Sequence, residues 1–143
     1  MTIEIKSFST KSKENFNLAV QLRFLVFSDE QGVEKDIVYD GLDDEAVQYL
    51  ILIDNEPAAT ARWRETEQGL KIERMAVKKE FRSLGIGYLL LKHILHELIP
   101  SKLEIYLHAQ EQVVNFYEFA NFVKTGDKFS EAKIIHHKMI YKR

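Results

Sequence analysis

Two closely spaced glycines mark the segment of this sequence with the clearest capacity for chemistry. The segment reads Arg-Ser-Leu-Gly-Ile-Gly over residues 82–87, between a predicted strand that ends at Val77 and a predicted helix that begins near Gly87. Glycines let a backbone approach a ligand closely, and the unpaired N–H groups at the start of a helix attract anions. The spacing therefore predicts a site for a phosphate or a pyrophosphate.

Two nucleotide-binding motifs that contain similar glycines do not match this segment. A P-loop requires Lys and then Ser or Thr after its last glycine, where this chain has Tyr88 and Leu89. A dinucleotide-binding fingerprint requires a third glycine at the position of Leu90. A tight turn without a ligand is the third alternative, and an isolated Gly-x-Gly pattern does not exclude it.

The composition excludes several kinds of site and partner. Cysteine is absent, so a thiolate nucleophile, an S-acyl enzyme intermediate and a cysteine metal site are excluded. Twenty Lys and Arg against 22 Asp and Glu give a net charge of -2, which supplies no field for holding nucleic acid. The apolar runs are far shorter than the ~20 residues of a membrane span, and no secretory signal is visible. We therefore expect a cytoplasmic protein with no metal, nucleic acid or membrane partner.

The length and the hydrophobic periodicity predict one mixed α/β domain over residues 1–143. A chain of 143 residues, 45% hydrophobic, fits one domain with a sizeable core. Alternating apolar residues predict strands, and apolar residues three or four positions apart predict helices. The predicted order is β-α-β-β-β-α-β-α-β-β, with strands at 2–8, 47–54, 58–66, 70–77, 103–109, 122–125 and 134–141, and helices at 13–31, 87–99 and 112–120. A bend or break near Ser28 is expected in the first helix. The polar segment 32–45 is predicted to be a surface loop, with room for a short helical turn.

The residues around the glycine pair resemble the acetyl-coenzyme A motif of the GNAT superfamily of N-acetyltransferases. The strand 73–77 precedes the Arg-x-x-Gly-x-Gly of residues 82–87 at the family spacing. Downstream, Gln110, Tyr117 and Asn121 resemble a second family segment, with Gln in place of the usual Asn and Asn in place of the usual Gly. Asn is the residue other than Gly that best tolerates a left-handed backbone, so the second departure is mild.

A further set of residues outside the cofactor motif resembles the ElaA-like and YjcF-like branch of that superfamily. Its members are Arg23, Val26, Phe27, Glu30, Gln31, Asp40, Asp43, Glu131, Ala132, Ile134, His136 and Met139. Together the two sets cover essentially the full chain. The resemblance implies the GNAT acyl-CoA N-acyltransferase fold, in which two central strands splay apart and admit the pantetheine arm.

The resemblance implies an acetyl-CoA-dependent N-acetyltransferase that acts on a primary amine of a small molecule or a peptide. Transfer would occur by direct attack within a ternary complex, which agrees with the absence of cysteine. The implied cofactor-binding residues are Met75, Ala76, Val77, Arg82, Ser83, Leu84, Gly85, Ile86, Gly87 and Gln110. A non-catalytic acyl-CoA-binding or sensing module is the alternative function, and a homodimer is left open.

Two residues are candidates for proton transfer. Tyr117 matches the family tyrosine that protonates the departing sulfur, and its alternative is a core tyrosine. Glu73 is the candidate base, because it lies on the strand expected to contact pantetheine, and burial beside the cofactor would raise its pKa. Its alternative is a solvated carboxylate or a partner for Arg74.

The acceptor amine is expected to meet the end of the first helix and the last strand. Glu30 and Gln31 would lie near the acceptor cleft, although a surface carboxylate is the simpler interpretation of Glu30. His136 and His137 are adjacent and point to opposite faces of a strand, so at most one faces the cleft, and His136 matches the branch motif. A strand histidine without a catalytic role is its alternative. The acidic loop 40–45 could favour cationic acceptors.

Overall fold

The computed structural model describes all 143 residues and contains seven strands in one mixed sheet, in the order β1-β2-β3-β4-β5-β7-β6. The strands are β1 (Ile3–Phe8), β2 (Val47–Ile53), β3 (Glu56–Thr66), β4 (Gly69–Val77), β5 (Ile105–Gln110), β6 (Phe122–Glu131) and β7 (Ile134–Tyr141). The helices are α1 (Lys13–Arg23), α2 (Lys35–Val38), α3 (Ile86–Leu98) and α4 (Val114–Phe119). This architecture confirms the predicted fold class. No helix has both the length and the apolar character that crossing a membrane requires.

Helix α3 packs its apolar face against the sheet. Its buried residues recur at helical spacing and face the core, namely Ile86, Leu90, Leu91, Ile94, Leu95 and Leu98. Burial of each such side chain contributes about 1.5–3 kcal/mol. The N-terminus of α3 is therefore fixed against the sheet directly after β4, where the glycine segment lies.

The central strands β4 and β5 are parallel and separate after a short ladder. Their only pairs are Leu70 with Ile105, Lys71 with Tyr106 and Ile72 with Leu107. Beyond Ile72, β4 carries a β-bulge in which Arg74 and Met75 lie opposite the single residue Ala61 of β3. Bulges bend a strand and increase its twist. The bulge thus turns β4 away from β5, and the predicted splay of the sheet is confirmed.

The bulge is held by the side chain of Arg74. Arg74 has a φ of 57°, a left-handed conformation that costs on the order of 1–3 kcal/mol for a residue with a Cβ. Its guanidinium donates to the carbonyl oxygens of Ile37 and Val38 and to the carboxylate of Asp40, at 3.1–3.2 Å. These bonds tie α2 to the bulge and stabilise the strained residue.

The segment after the first helix contains a short helical turn, α2, as the sequence allowed, but it does not lie wholly on the surface. Val38 and Asp43 are buried. Asp43 accepts hydrogen bonds from Arg23 at 3.0 Å and Arg62 at 2.8 Å, and Arg62 also pairs with Asp40 at 2.7 Å. Asp40 and Asp43 are therefore paired with arginines of the same chain, and a preference of the acidic loop for cationic acceptors stays a prediction.

These buried ion pairs predict a loss of stability in acid. Hydrogen bonds from Arg62 and Leu42 outweigh the effect of burial and lower the pKa of Asp40 from 3.8 to about 2. Glu73 shows a similar shift, from 4.5 to about 2. A group whose pKa is lower in the folded than in the unfolded state stabilises the fold at pH values above its unfolded-state pKa. This contribution to stability is lost as pH falls.

We expect the free energy of unfolding to fall as pH drops from about 4.5 towards 2. Urea titrations at pH 7, 4 and 3 measure it, and an unchanged value down to pH 3 would contradict the ion-pair assignment.

Candidate functional site

The gap between β4 and β5 opens into a cleft of about 530 Å³. The cleft is lined by β4, the end of β5, α4, β7 and the chain that follows α1. A smaller groove of about 330 Å³ adjoins it and shares Val77, Arg82, Gly87 and Phe116 with it. Every residue that the sequence analysis assigned to the site lines one of these two spaces, except Leu84, which is exposed.

The glycine segment presents a row of free backbone donors. Gly85 is left-handed, with a φ of 78°, and its carbonyl oxygen accepts the first bond of α3, from the N–H of Leu89 at 3.0 Å. The N–H groups of residues 83–88 have no acceptor within the protein. Successive unpaired N–H groups at a helix N-terminus form a concave anion site. The segment therefore fits a pyrophosphate, and its contacts would be made by the main chain.

The residues that follow α1 contact both sides of the gap between β4 and β5. The sequence predicted one helix over 13–31, bent or broken near Ser28, whereas the α-helix ends at Arg23 and continues as a π-helical segment, Phe24–Glu30. At its end, Glu30 accepts two bonds from Arg82 at 2.5 and 2.8 Å. The next residue, Gln31, accepts a bond from Gln110 of β5 at 2.9 Å. The pair Glu30–Gln31 thus bridges the β4 side and the β5 side.

Arg82 connects the glycine segment to the segment that follows α1. Its guanidinium donates to the carbonyl of Val77 at 3.0 Å and to Glu30. Each partner lies on the rim of the main cleft. The contact of the Arg82 side chain with a pyrophosphate stays a prediction.

Tyr117 lies on α4 and lines the main cleft. Its ring packs edge-on against Phe116 and Phe122, with centroid distances of 5.0 and 5.9 Å. Burial alone raises its pKa well above the ordinary value, and no hydrogen bond within the protein acts on its hydroxyl. The structure thus holds a protonated phenol in the cleft with its donor free.

Comparison with known proteins identifies the family. The profile described as "Acetyltransferase (GNAT) domain" matches residues 12–143. This chain belongs to the GNAT family of acetyltransferases. YjcF of Bacillus subtilis, named an uncharacterized N-acetyltransferase, is 29% identical over 138 residues, which cover 95% of this chain and 99% of YjcF.

Solved GNAT structures share the same fold. The crystal structure of Escherichia coli ElaA superposes with a TM-score of 0.87 at 25% identity, covering 99% of this chain and 100% of ElaA. A GNAT family acetyltransferase from Elizabethkingia anophelis with acetyl-CoA bound superposes with a TM-score of 0.68 at 17% identity, covering 96% and 94% of the two chains. The predicted superfamily and its ElaA-like and YjcF-like branch are confirmed.

Glu73 of this GNAT protein is buried among cations. Its carboxylate lies 2.7 Å from Arg64 Nε, 3.0 Å from Arg62 Nη2 and 3.1 Å from Lys71 Nζ. Arg74, the partner considered in the sequence analysis, binds Asp40 instead. Burial favours the neutral acid, but the hydrogen bond from Arg64 and the charges of Arg62 and Lys71 outweigh it and lower the pKa to about 2. The predicted rise in the pKa of Glu73 is therefore wrong, and such a carboxylate is a weak proton acceptor.

His136 lies on β7, directly opposite Gln110 of β5, and its side chain is buried in the cleft wall. Its Nδ1 is 2.8 Å from the carbonyl oxygen of Ile134. His137 turns to the opposite face and contacts Glu111 at 3.2 Å. The prediction that only one histidine of the pair faces the cleft therefore holds.

Two ionisable residues of the cleft wall, Lys71 and His108, were missed by the sequence analysis, and Glu131 was named there only as part of the branch resemblance, without a role. His108 lies two residues before Gln110 on β5, so strand alternation places both side chains on one face. Glu131 ends β6, immediately before the hairpin that leads to His136. Alternation alone could have indicated His108, whereas the pairing of Glu131 with the histidines depends on the fold.

Proposed function

We propose that this GNAT protein moves an acetyl group from acetyl-CoA to a primary amine by direct attack within a ternary complex. The observation that carries the proposal is the row of unpaired N–H groups at residues 83–88, placed at the mouth of a cleft through the split sheet. One end of the site suits a pyrophosphate, and the gap leads towards the opposite face. The structural neighbour from Elizabethkingia anophelis has acetyl-CoA bound, which supports the proposal that this fold binds acetyl-CoA here as well.

The main chain would provide most of the cofactor contacts. After Ile72 the β5-facing edge of β4 has no partner strand, so the backbone at Met75, Ala76 and Val77 is free to pair with the amides of pantetheine. The pyrophosphate would bind at residues 82–87, and Gln110 would close the β5 side. Since these contacts use backbone groups, the side chains between the glycines are free to vary.

We assign the protonation of the departing sulfur to Tyr117. As the C–S bond of the thioester breaks, the sulfur gains charge, and a phenol proton donor in the cleft would neutralise it. The high pKa of Tyr117 keeps the hydroxyl protonated until then. Glu73 is assigned a fixed negative charge that organises Arg62, Arg64 and Lys71 beside the acceptor.

Thermal-shift measurements with coenzyme A, acetyl-CoA, ATP and NAD test the cofactor assignment. We expect both coenzyme A species at about 100 times Kd to raise Tm by roughly 5–10 °C. The other two nucleotides share phosphate groups but lack pantetheine, and should raise it much less. Equal shifts with all four ligands would contradict a site specific for coenzyme A.

A thiol-release assay with acetyl-CoA and a panel of amines then tests transfer. The panel should include amino acids, polyamines, amino sugars and peptides with free N-termini. We expect amine-dependent release of free coenzyme A together with an acetylated product seen by mass spectrometry. Coenzyme A binding without transfer to any amine would indicate the alternative, a non-catalytic acyl-CoA-binding module.

A further inference from the structure

We infer that His136 is the base that takes a proton from the acceptor amine, and that Glu131 stabilises the imidazolium ion formed. The inference rests on the proposed acetyltransferase function and adds the group that makes the amine nucleophilic. An alkylammonium has an ordinary pKa near ~10.4, so a proton must leave before the nitrogen can attack a carbonyl carbon. The cleft wall holds two imidazoles, His108 and His136, and the surroundings of His136 suit that task.

The hydrogen bond at Nδ1 fixes the tautomer of His136. Because the carbonyl oxygen of Ile134 can only accept, Nδ1 must carry the proton in their 2.8 Å contact. In the neutral ring the basic lone pair is then on Nε2. The ring of Phe129 stacks on the imidazole, with centroids 5.9 Å apart and planes inclined by 21°. The packing and the hydrogen bond together fix the direction of Nε2.

Glu131 lies where a positive charge on His136 would appear. Its Oε2 is 3.7 Å from Nε2, which is too long for a hydrogen bond but close for two charges. The hydrogen bond from His108 lowers the pKa of Glu131, and the charges of His108, His136 and Lys71 act in the same direction against burial. Glu131 therefore stays ionised at neutral pH and places a negative charge beside the ring.

The other charged groups around this pair are already engaged. His108 contacts Glu131 through Nδ1 at 3.3 Å, and Lys71 contacts Glu73 at 3.1 Å. Lys138, two residues from His136 on the same strand face, donates to Gln68 and lies over the ring of Tyr106. The cluster does not converge into a metal-binding group.

The remaining candidate bases are less suited to the task. Glu73 is ionised with a pKa of about 2 and is bound by three cations. Both oxygens of Glu30 accept bonds from Arg82. His136 and His108 both line the cleft wall with a ring Nε2 that no hydrogen bond occupies. His136 is the more buried of the two, with 8% of its side chain exposed against 22% for His108. Its Nε2 can accept a proton without breaking an existing contact.

The proton balance of the reaction is closed by this assignment. An alkylammonium carries three protons on nitrogen and the product amide carries one, so two protons leave. One passes to Nε2 of His136, directly or through one water, and later to solvent. As the C–N bond forms and the C–S bond breaks, Tyr117 gives its proton to the sulfur. The second proton of the nitrogen then passes to the Tyr117 oxygen, and the products are the amide and the coenzyme A thiol.

The substitution His136→Asn tests the assignment, because the asparagine amide can still donate to the Ile134 carbonyl but offers no basic nitrogen. We expect kcat to fall roughly 10²–10⁴-fold with the coenzyme A thermal shift unchanged. In the plot of kcat against pH, the limb that rises with pH should disappear. Glu131→Gln should lower kcat less than His136→Asn does, because the imidazolium that forms loses the negative charge 3.7 Å away while the base itself remains. The matched control His137→Asn, next on the strand but on the opposite face, should behave as wild type.

A second measurement needs no acceptor. Nitrogen-15 NMR of the histidine rings above the midpoint of that limb should show His136 protonated at Nδ1 and bare at Nε2. The opposite tautomer would overturn the inference, as would wild-type kcat and pH profile in His136→Asn. Loss of the limb in Glu73→Gln with its retention in His136→Asn would return the role to Glu73. If the wild type transfers acetyl to no amine, the proposed function fails and the inference fails with it.

Discussion

Replacing Gly87 with leucine should weaken coenzyme A binding by at least about 10²-fold while the chain remains folded. A Cβ at this position would lie 3.3 Å from Val77 Cγ2 and 3.6 Å from the ring of Phe116. The rest of the leucine side chain must then extend into the groove that both neighbours line. Overpacking of this kind costs about 1–3 kcal/mol, and the side chain also covers the free N–H groups, so a loss of roughly 2.8 kcal/mol, or 10²-fold, is expected.

Isothermal titration calorimetry with coenzyme A measures this effect, and circular dichroism with thermal melting checks the fold. Gly87→Ala should give an intermediate loss, since a methyl group needs only a small movement of the Val77 side chain. The matched control is His96→Leu, which places the same side chain on the exposed face of α3 and should leave affinity unchanged. Undiminished affinity in folded Gly87→Leu would remove the glycine segment from the cofactor site.

Removing only the hydroxyl group of Tyr117 should reduce turnover roughly 10²–10⁴-fold, the usual range for proton-transfer catalysis. In Tyr117→Phe the ring keeps its packing against Phe116 and Phe122, and no hydrogen bond within the protein is broken. Affinity for coenzyme A should therefore stay near wild type. The loss should appear in kcat, because the sulfur would depart as a thiolate without its proton donor.

Steady-state kinetics with the best amine from the thiol-release screen, together with calorimetry, separate the two effects. Tyr141→Phe is the matched control, since Tyr141 packs on the same Phe122 ring at 5.4 Å but does not line the cleft. It should keep wild-type turnover. Unchanged kcat in Tyr117→Phe would make Tyr117 a structural residue, which was its alternative interpretation.

Several elements of this fold could be predicted because short-range sequence encodes them. The spacing of Leu90, Ile94 and Leu98 predicted α3, which ends at Leu98, two residues before Pro100. Alternation predicted the strands to within a few residues, although β6 extends to Glu131 and not to 125. The extra length pairs with β7 across a register shift near Thr125, and such irregular pairing leaves no regular alternation to detect.

The π-helical segment and the β4 bulge could not be predicted from the sequence. Phe24–Glu30 has apolar residues at positions that also fit an α-helix, so its wider turns follow from packing against the sheet. The left-handed Arg74 is stable only because Asp40 and the carbonyls of α2 bind its side chain. These partners are 34–37 residues away, beyond the reach of any local pattern.

The sequence by itself determined where unpaired backbone N–H groups lie, because a Gly-x-Gly between a strand and a helix brings its own backbone N–H groups. Only the tertiary structure decided the charges of the site. Whether Glu73 is a base depends on Arg62, Arg64 and Lys71, which β3 and β4 bring against it. Likewise Glu30 pairs with Arg82, which lies 52 residues further along the chain. The ionisation of a side chain depends on burial and on charges within a few ångströms, and those neighbours exist only after the strands and helices have packed.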